Sequence, residues 1–155
     1  MPAPEIVAAL ETRFSATSFA LGVEVPAASL LTALRALRDA HGYRYYVTAT
    51  GTETESAFEV IHAVRNLDTN DTLFVKVRVP KDAPEVDSIA FVYAGAEWQE
   101  REIWDLFGVT FRAHPDPRRI LMPDDYPGHP LRKSFAMDTP WGYRPATSGN
   151  PEAAS

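Results

Sequence analysis

The chain has 155 residues, a formal net charge of −6 and no cysteine, and these features exclude several classes of protein. A single domain of this length buries a sizeable core. The absence of cysteine excludes disulfides, thiolate catalysis, iron–sulfur ligation and the usual structural zinc sites from this chain. The net acidity argues against a nucleic-acid binder. With no basic leader and no long apolar run, we expect a soluble, cytoplasmic protein without a membrane span.

Two helices and a strand are predicted in the N-terminal part of the chain. Apolar residues at helical spacing indicate a short amphipathic helix over residues 4–14. A longer leucine-rich helix is predicted over residues 27–41, with Gly42 as its C-terminal cap. Between the two helices, apolar residues alternate with polar or small ones from Phe19 to Val25, which is the period of a half-buried strand.

Three further strands are predicted in the middle of the chain. β-branched and aromatic residues alternate over Tyr43–Thr50, Ala57–Arg65 and Thr72–Val79. The connections Gly51–Ser56 and Asn66–Asp71 are short and polar, so the strands are expected to be antiparallel neighbours. The predicted fold class is therefore α/β of the α+β type, a small mixed or mostly antiparallel sheet covered by helices.

The stretch after the predicted sheet contains a loop and one helix. Residues 80–87 predict a loop, and residues 88–93 fit a short helix or a strand equally well. Apolar residues share one face of residues 97–107, which predicts a helix that ends at Gly108.

An extended segment rich in proline follows this helix. Eight of the 13 prolines lie between Pro115 and Pro151, a density that excludes helix and sheet interior. We expect a globular domain over residues 1–111 and an extended docking segment over residues 112–137, called the proline arm below. Residues 138–155 are expected to form a loose tail.

The charged helix before the proline arm has two interpretations. On its own, Glu100–Gly108 fits a solvated face, in which Glu97 and Asp105 each lie four residues from Arg101. Because the helix leads directly into an arm rich in arginine and proline, a composite surface that contacts another molecule is the favoured interpretation.

Catalytic and metal chemistry find little support in the motifs. His114 and His129 lie near carboxylates, but each precedes a proline and no histidine pair has helical ligand spacing. Asp124 and Asp125 are adjacent, and adjacent residues in extended chain point to opposite sides, so a turn or helix start is favoured over an acid–base pair. No nucleophile or nucleotide motif is present, so the chain shows no active site of its own.

The basic residues of the proline arm favour a protein partner. Arg118-Arg119 and Arg132-Lys133 form two positive pairs that could bind phosphates. Interleaved acidic and apolar residues suit a protein surface better than a uniform polyanion.

The residues from 98 to 133 resemble the signature of a known family. The pattern is Glu100-Arg101-Glu102, Asp105-Leu106-Phe107-Gly108, His114-Pro115-Asp116, Arg118-Arg119-Ile120-Leu121 and Gly128-His129-Pro130-Leu131-Arg132-Lys133. It resembles the 30 kDa subunit of respiratory complex I, which in bacteria is the C subunit of NADH-quinone oxidoreductase. Three positions depart from the family pattern: Ala113 stands where glycine is usual, Pro117 where an aliphatic residue is usual, and Ser134 where aspartate is usual.

The resemblance implies a scaffold in the peripheral arm of that enzyme. It implies no cofactor in this chain, with FMN, iron–sulfur clusters, NADH and quinone bound by other subunits. One implied partner is the 49 kDa subunit, called the quinone-site subunit below. The subunit with the terminal iron–sulfur cluster and other subunits of the peripheral arm are implied as well, and the assembly lies on the cytoplasmic side of the bacterial inner membrane. The residues expected at the docking surface are Glu100, Arg101, Glu102, Asp105, Phe107, Gly108, His114, Pro115, Asp116, Arg118, Arg119, Asp124, Gly128, His129, Pro130, Leu131, Arg132 and Lys133.

Within this set, two roles are expected, and other functions stay open. Charge-assisted contacts are assigned to Arg101, Arg118, Arg119, Arg132 and Lys133, and the path of the chain to His114, Pro115, His129 and Pro130. An alternative function is the equivalent subunit of a membrane-bound energy-converting hydrogenase or a related oxidoreductase. More distant alternatives are an RNA-binding or adaptor module, and a hydrolase that uses Asp124, Asp125 and His129.

Overall fold

The structure is a computed structural model, and it describes residues 4–135. This part of the chain contains both helices and strands. The predicted α/β fold class with a mostly antiparallel sheet is confirmed. The elements are α1 (Pro4–Phe14), β1 (Thr17–Phe19), β2 (Gly22–Glu24), a 3₁₀ turn (Ala27–Ser29), α2 (Leu30–Ala40), β3 (Tyr45–Glu53), β4 (Ala57–Asn66), β5 (Asp71–Pro80), β6 (Glu85–Asp87), α3 (Ala96–Phe107) and β7 (Thr110–Arg112).

Five strands form the main sheet in the order β1-β2-β5-β4-β3. The pairs β3/β4 and β4/β5 are antiparallel, as predicted, and β2 lies parallel to β5. Strand β3 extends through Gly51 to Glu53, where the sequence predicted a turn, because Gly51 lies opposite Val60 in the ladder. As the last strand in the order, β3 forms an outer edge of the sheet.

The strand predicted from Phe19 to Val25 is wrong in one respect. The chain reverses at residues 20–21, so that Phe19 lies opposite Gly22 in a short antiparallel hairpin. Leu21 is 59% exposed at the tip of that hairpin. The alternation of apolar residues continues through the turn, so no pattern in the sequence marks the reversal.

One face of the sheet forms the core of the described domain. Val60, Val75 and Val77 are fully buried on that face, and Leu34 and Leu37 of α2 join the same apolar cluster. The helix predicted over residues 27–41 is thus confirmed, with its first turn as the 3₁₀ segment. Gly42 follows it with a φ of +76°, the left-handed conformation expected of a C-terminal glycine.

A parallel pair of short strands positions the candidate site. Strand β6 pairs with β7, and α3 lies between them in the sequence. The predicted loop over residues 80–87 is therefore wrong for its last three residues, since their partner lies 25 positions away and leaves no local pattern, and for Pro80, which ends β5. Residues 88–95 contain turns, neither the helix nor the strand considered from the sequence. Arg112, the first residue assigned to the proline arm, ends β7.

Candidate functional site at helix α3 and the proline arm

The proline arm runs alongside α3 from its first turn to its last. At the first turn, His114 contacts the Glu97 carbonyl, and at the last turn, Arg132 contacts the Phe107 carbonyl. Residues 113–135 contain turns and bends, with no helix or strand assigned among them. The predicted loose tail, residues 138–155, lies outside the described residues, as do the last two residues of the proline arm.

His114 fixes the start of the proline arm to α3. Its Nε2 lies 2.9 Å from the Glu97 carbonyl oxygen, and its Nδ1 lies 3.0 Å from the Asp116 amide nitrogen. These partners assign the neutral tautomer in which Nε2–H donates and Nδ1 accepts. The imidazole is 2% exposed. The residue before it, Ala113, has a φ of +57°, a conformation that favours the glycine usual at this position of the family.

Arg101 is turned towards the proline arm rather than along its own helix. Its Nε and Nη2 donate to the carbonyls of Arg118 and Arg119 at 3.0 and 3.2 Å, and its Nη1 lies 3.2 Å from Asp116 Oδ2. The guanidinium also lies over the ring of Trp98, 5.2 Å from its centroid. A solvated charged helix face is therefore wrong for Arg101, as it is for Glu100 and Asp105, all of which are buried.

Asp105 is enclosed by backbone amides of the proline arm. Its Oδ2 accepts three successive N–H groups, those of Ile120 at 3.1 Å, Leu121 at 2.8 Å and Met122 at 2.8 Å. Its Oδ1 lies 2.5 Å from Arg119 Nη1. Burial alone would raise the pKa of Asp105, but these donors outweigh burial and hold the pKa below its ordinary value. The carboxylate is fully buried, so it is a charged anchor for the middle of the arm.

The carbonyl groups at the C-terminal end of α3 receive their hydrogen bonds from the proline arm. The last four carbonyls of a helix have no partner within the helix unless a cap supplies one. Gly108 supplies the N–H for Trp104, at 2.8 Å. The arm supplies the other donors: His129 Nδ1 to Asp105 O at 2.9 Å, Leu131 N to Leu106 O at 3.0 Å, Arg132 Nε to Phe107 O at 2.5 Å, and Arg132 Nη2 to Gly108 O at 3.2 Å.

Gly108 is required by this cap for two reasons. Its φ of +73° lies in the left-handed region, where a side chain is strained. A Cβ at this position would also overlap the guanidinium of Arg132 and the ring of His129. Burial lowers the pKa of His129, and the nearby charges of Arg132 and Arg119 lower it further, which favours the neutral ring that donates through Nδ1.

Glu100 lies buried between α3 and the loop before it. Its Oε2 accepts from Ser88 Oγ at 2.5 Å, its Oε1 accepts from the Ile89 amide at 2.8 Å, and His114 Nε2 lies 3.7 Å away. Burial raises the pKa of Glu100 from 4.5 to about 7, against the lowering effect of its two donors. The folded protein therefore binds this proton more tightly than the unfolded chain. The protonated carboxyl group of Glu100 therefore stabilises the fold fully below pH 4.5, and this stabilisation is lost as the pH rises to about 7.

Glu53 joins the end of the proline arm to the sheet, and no sequence pattern pointed to it. Its Oε2 accepts from the Lys133 amide at 2.6 Å, and its Oε1 lies 2.7 Å from Lys81 Nζ. The Lys81 ammonium and the Lys133 amide hold the pKa of Glu53 below its ordinary value. Sequence reasoning also missed the Ser88 hydroxyl, because a lone serine 12 residues before Glu100 forms no motif with it. The amides around Asp105 were missed because backbone donors carry no residue signature.

The remaining predicted site residues lie on the outside of this assembly. Arg118 is largely exposed, although its Nε and Nη2 bind both oxygens of Asp116. Of the turn or helix start predicted at Asp124 and Asp125, the structure has the turn, in which the Tyr126 amide donates to the Pro123 carbonyl at 3.0 Å. The other outward residues are Glu102, Pro115, Gly128, Leu131 and Lys133, and Pro130 is half-buried. Their contacts with a partner stay a prediction.

Among the described residues there is neither a cluster of metal ligands nor a membrane-spanning helix. Within residues 4–135, no three His, Asp or Glu side chains are grouped so that they could hold a metal ion. In the same range, no helix has the length and apolar character needed to cross a membrane.

The family of the chain follows from its likeness to known proteins. A family model of the 30 kDa subunit of respiratory-chain NADH dehydrogenase matches residues 23–140, which include α3 and the described proline arm. The chain belongs to this family. The family predicted from the motif is thus confirmed, and the matched range extends well beyond the motif into β2.

Relatives of the chain carry the names of bacterial NADH-quinone oxidoreductase subunits. The C subunit of Moorella thermoacetica is 38% identical over 76% of this chain and 81% of the relative. The C subunit of Geobacter metallireducens is 44% identical over 56% of this chain and 53% of the relative, so the match spans about half of that protein. The C/D subunit of Gluconacetobacter diazotrophicus is 57% identical over 41% of this chain and 10% of the relative.

Two solved structures share the fold. A chain of the membrane-bound sulfane sulfur reductase, an archaeal respiratory membrane complex, has a TM-score of 0.72 at 26% identity, over 86% of this chain and 85% of that chain. The trypsin-resistant fragment of Nqo5 has a TM-score of 0.58 at 24% identity, over 70% of this chain and 93% of the fragment. The second likeness supports the α/β fold alone.

Proposed function

We propose that the chain is a non-catalytic structural subunit in the peripheral arm of a proton-translocating NADH-quinone oxidoreductase, complex I. Membership of the 30 kDa subunit family supports this proposal. The observation that carries it is that charged residues of the family motif bind groups within this chain. Arg101 and Asp105 are buried and bonded to backbone groups of the proline arm, so their charges hold the arm in one path, while Glu100 is buried against the loop before α3.

In this proposal, electron transfer belongs to other subunits. FMN, the iron–sulfur clusters, NADH and quinone bind elsewhere in the complex, and this chain provides neither ligands nor a general acid or base. The complex attaches the chain to the cytoplasmic side of the bacterial inner membrane. The role of the buried charges is to shape a surface, since a directional hydrogen-bond network can fix an arm that has little apolar surface to bury.

The proposed partners are the quinone-site subunit and the subunit with the terminal iron–sulfur cluster. Relatives named as the C/D subunit support the association with the quinone-site subunit. Arg101, Arg119 and Arg132 already donate to groups within this chain. The partner contacts therefore fall to outward groups of the arm, such as the Lys133 side chain and Leu121, which is 50% exposed.

Co-purification from the native membrane tests this function. A tagged copy of the full chain is expressed in its own host, and the recovered proteins are identified by mass spectrometry. We expect NADH-binding, iron–sulfur and quinone-site subunits together with NADH-dependent quinone reduction. Recovery of nucleic acid or of the chain alone would contradict the proposal.

A second candidate is the equivalent subunit of a membrane-bound hydrogenase or a related oxidoreductase. The likeness to a chain of the archaeal sulfane sulfur reductase complex supports it, because that match covers most of both chains. The same purification separates the two candidates. A large subunit with four active-site cysteines, in place of NADH-binding subunits, would favour hydrogenase.

A further inference from the structure

A groove between α3 and the outer strand β3 is open to solvent. It has a volume of about 130 Å³ and is lined by Gly51 of β3, by Ile103 and Phe107 of α3, and by Leu131 of the proline arm. A Cβ at Gly51 would lie 3.0 Å from both Ile103 and Phe107, so the missing side chain leaves these apolar groups close to the strand backbone. Leu131 is 51% exposed. The proline arm therefore contributes an exposed apolar side chain to the groove.

The rim of this groove carries a carboxylate with no partner among residues 4–135. Glu102 lines the groove, is exposed, and makes no hydrogen bond or ion pair with another described residue. Its charged neighbours on α3 behave differently, because Glu100, Arg101 and Asp105 are buried and bonded. An exposed anion beside an apolar groove suits a basic group on whatever occupies the groove.

The strand edge beside the groove favours an extended occupant. The Ala49 amide donates to Gln99 Oε1 of α3, so it points away from β4. In an antiparallel ladder, the amides of every second residue point to the same side of the strand. The Gly51 amide therefore also points away from β4. Because the Ala49 amide is already bonded to α3, the Gly51 backbone is the group with which an extended segment can pair, whereas a helix has no free backbone groups to offer.

We propose that this groove receives an extended segment of the quinone-site subunit. An apolar side chain of that segment packs against Ile103 and Phe107, and a neighbouring lysine or arginine pairs with Glu102. The inference rests on the proposed function and narrows it to one surface and one partner chemistry. A second copy of this chain is a poorer occupant, because each copy carries a net charge of −6.

Site-specific cross-linking in the assembled complex identifies the occupant. The chain has no cysteine, so Thr50→Cys places a single thiol at the groove, where a photoreactive group can be attached. Leu121→Cys, on the outer side of the proline arm, is the matched probe of docking in general. We expect the Thr50→Cys probe to capture a peptide of the quinone-site subunit in which lysine or arginine stands within about three residues of an apolar residue.

The cross-linking outcomes separate this inference from the proposed function. Capture of a helix, of a second copy or of no protein by the Thr50→Cys probe would overturn the groove assignment, provided that the Leu121→Cys probe still captures the quinone-site subunit. Failure of both probes, in a chain that does not co-purify with that subunit, would instead overturn the proposed function.

A charge reversal tests the basic group independently. Glu102→Lys is expected to weaken binding to the purified quinone-site subunit by about tenfold or more, with a thermal midpoint near that of wild type because the side chain is exposed. Glu11→Lys makes the same change on the exposed face of α1 and is expected to leave binding unchanged. Equal binding by the two variants would refute the pairing at Glu102.

Discussion

Replacement of Asp105 by asparagine tests whether buried charge holds the proline arm. The wild-type carboxylate accepts three backbone amides at Oδ2 and Arg119 Nη1 at Oδ1. In Asp105→Asn, one amide oxygen can still accept from the three backbone donors. The amide NH₂ then faces the guanidinium, donor against donor. The change therefore removes the charge and leaves the size and shape of the side chain almost unaltered.

The expected loss in the free energy of unfolding is large for so small a change in the side chain. Removing one partner of a buried ion pair lowers the free energy of unfolding by about 3–5 kcal/mol, because the other charge is left without compensation. Arg119 keeps its bond to the Gly128 carbonyl at 3.0 Å, so we place the loss near the lower value, about 3 kcal/mol. At roughly 2–4 °C per kcal/mol for a domain of this size, the thermal midpoint falls by about 6–12 °C.

Urea denaturation followed by circular dichroism measures this loss. Asp124→Asn, the same substitution at an exposed aspartate of the proline arm, is the control and is expected to change the free energy of unfolding by less than about 0.5 kcal/mol. Arg119→Met is expected to cost less in the Asp105→Asn background than alone, with a coupling of about 1.5–3 kcal/mol. Equal unfolding free energies for wild type and Asp105→Asn would refute the anchoring role.

Three further predictions concern the cap and the buried titratable groups. Gly108→Ala is expected to cost about 2 kcal/mol or more in urea denaturation through its left-handed φ and its overlap with the arm, whereas Gly95→Ala, at a φ of −65°, should change stability by less than about 0.5 kcal/mol. Glu100→Gln should remove the loss of stability between pH 4.5 and 7, and should raise the free energy of unfolding at pH 8 by about 2–3 kcal/mol relative to wild type. Burial lowers the pKa of His62 from 6.5 to about 4, so wild type also loses stability as the pH falls through that range, and His62→Gln should reduce this acid-side loss in pH-dependent melting curves.

Periodic elements of the fold could be predicted because burial leaves a repeating mark on the sequence. The leucines of α2 recur at helical spacing because one face of that helix enters the core. The valines of β5 alternate because every second side chain faces the same core. The turn residues between β3, β4 and β5 predict that these strands are antiparallel neighbours.

The inward direction of the charges on α3 could not be predicted in the same way. A charged residue on an amphipathic helix is ordinarily solvated, and only a partner can change that. For Arg101 and Asp105 the partners are backbone groups of residues 118–122, which any sequence supplies. The parallel pair of β6 and β7 was missed for a related reason, because its two strands are three residues each and α3 separates them.

The composition of the proline arm explains why its shape depends on buried charge. A chain with this density of proline forms no ladder of backbone bonds, and its apolar residues are too few to build a core of their own. Helix α3 supplies acceptors at both of its ends, the Glu97 carbonyl for His114 in the first turn and, in the last turn, carbonyls that have no partner within the helix. Each hydrogen bond is directional, so together they specify one path where apolar packing would allow several. With the proline arm fixed in this path, the Glu102 carboxylate and Leu131 face outward at the groove. The family motif therefore has both an internal part, which holds the arm, and an external part, which forms a surface.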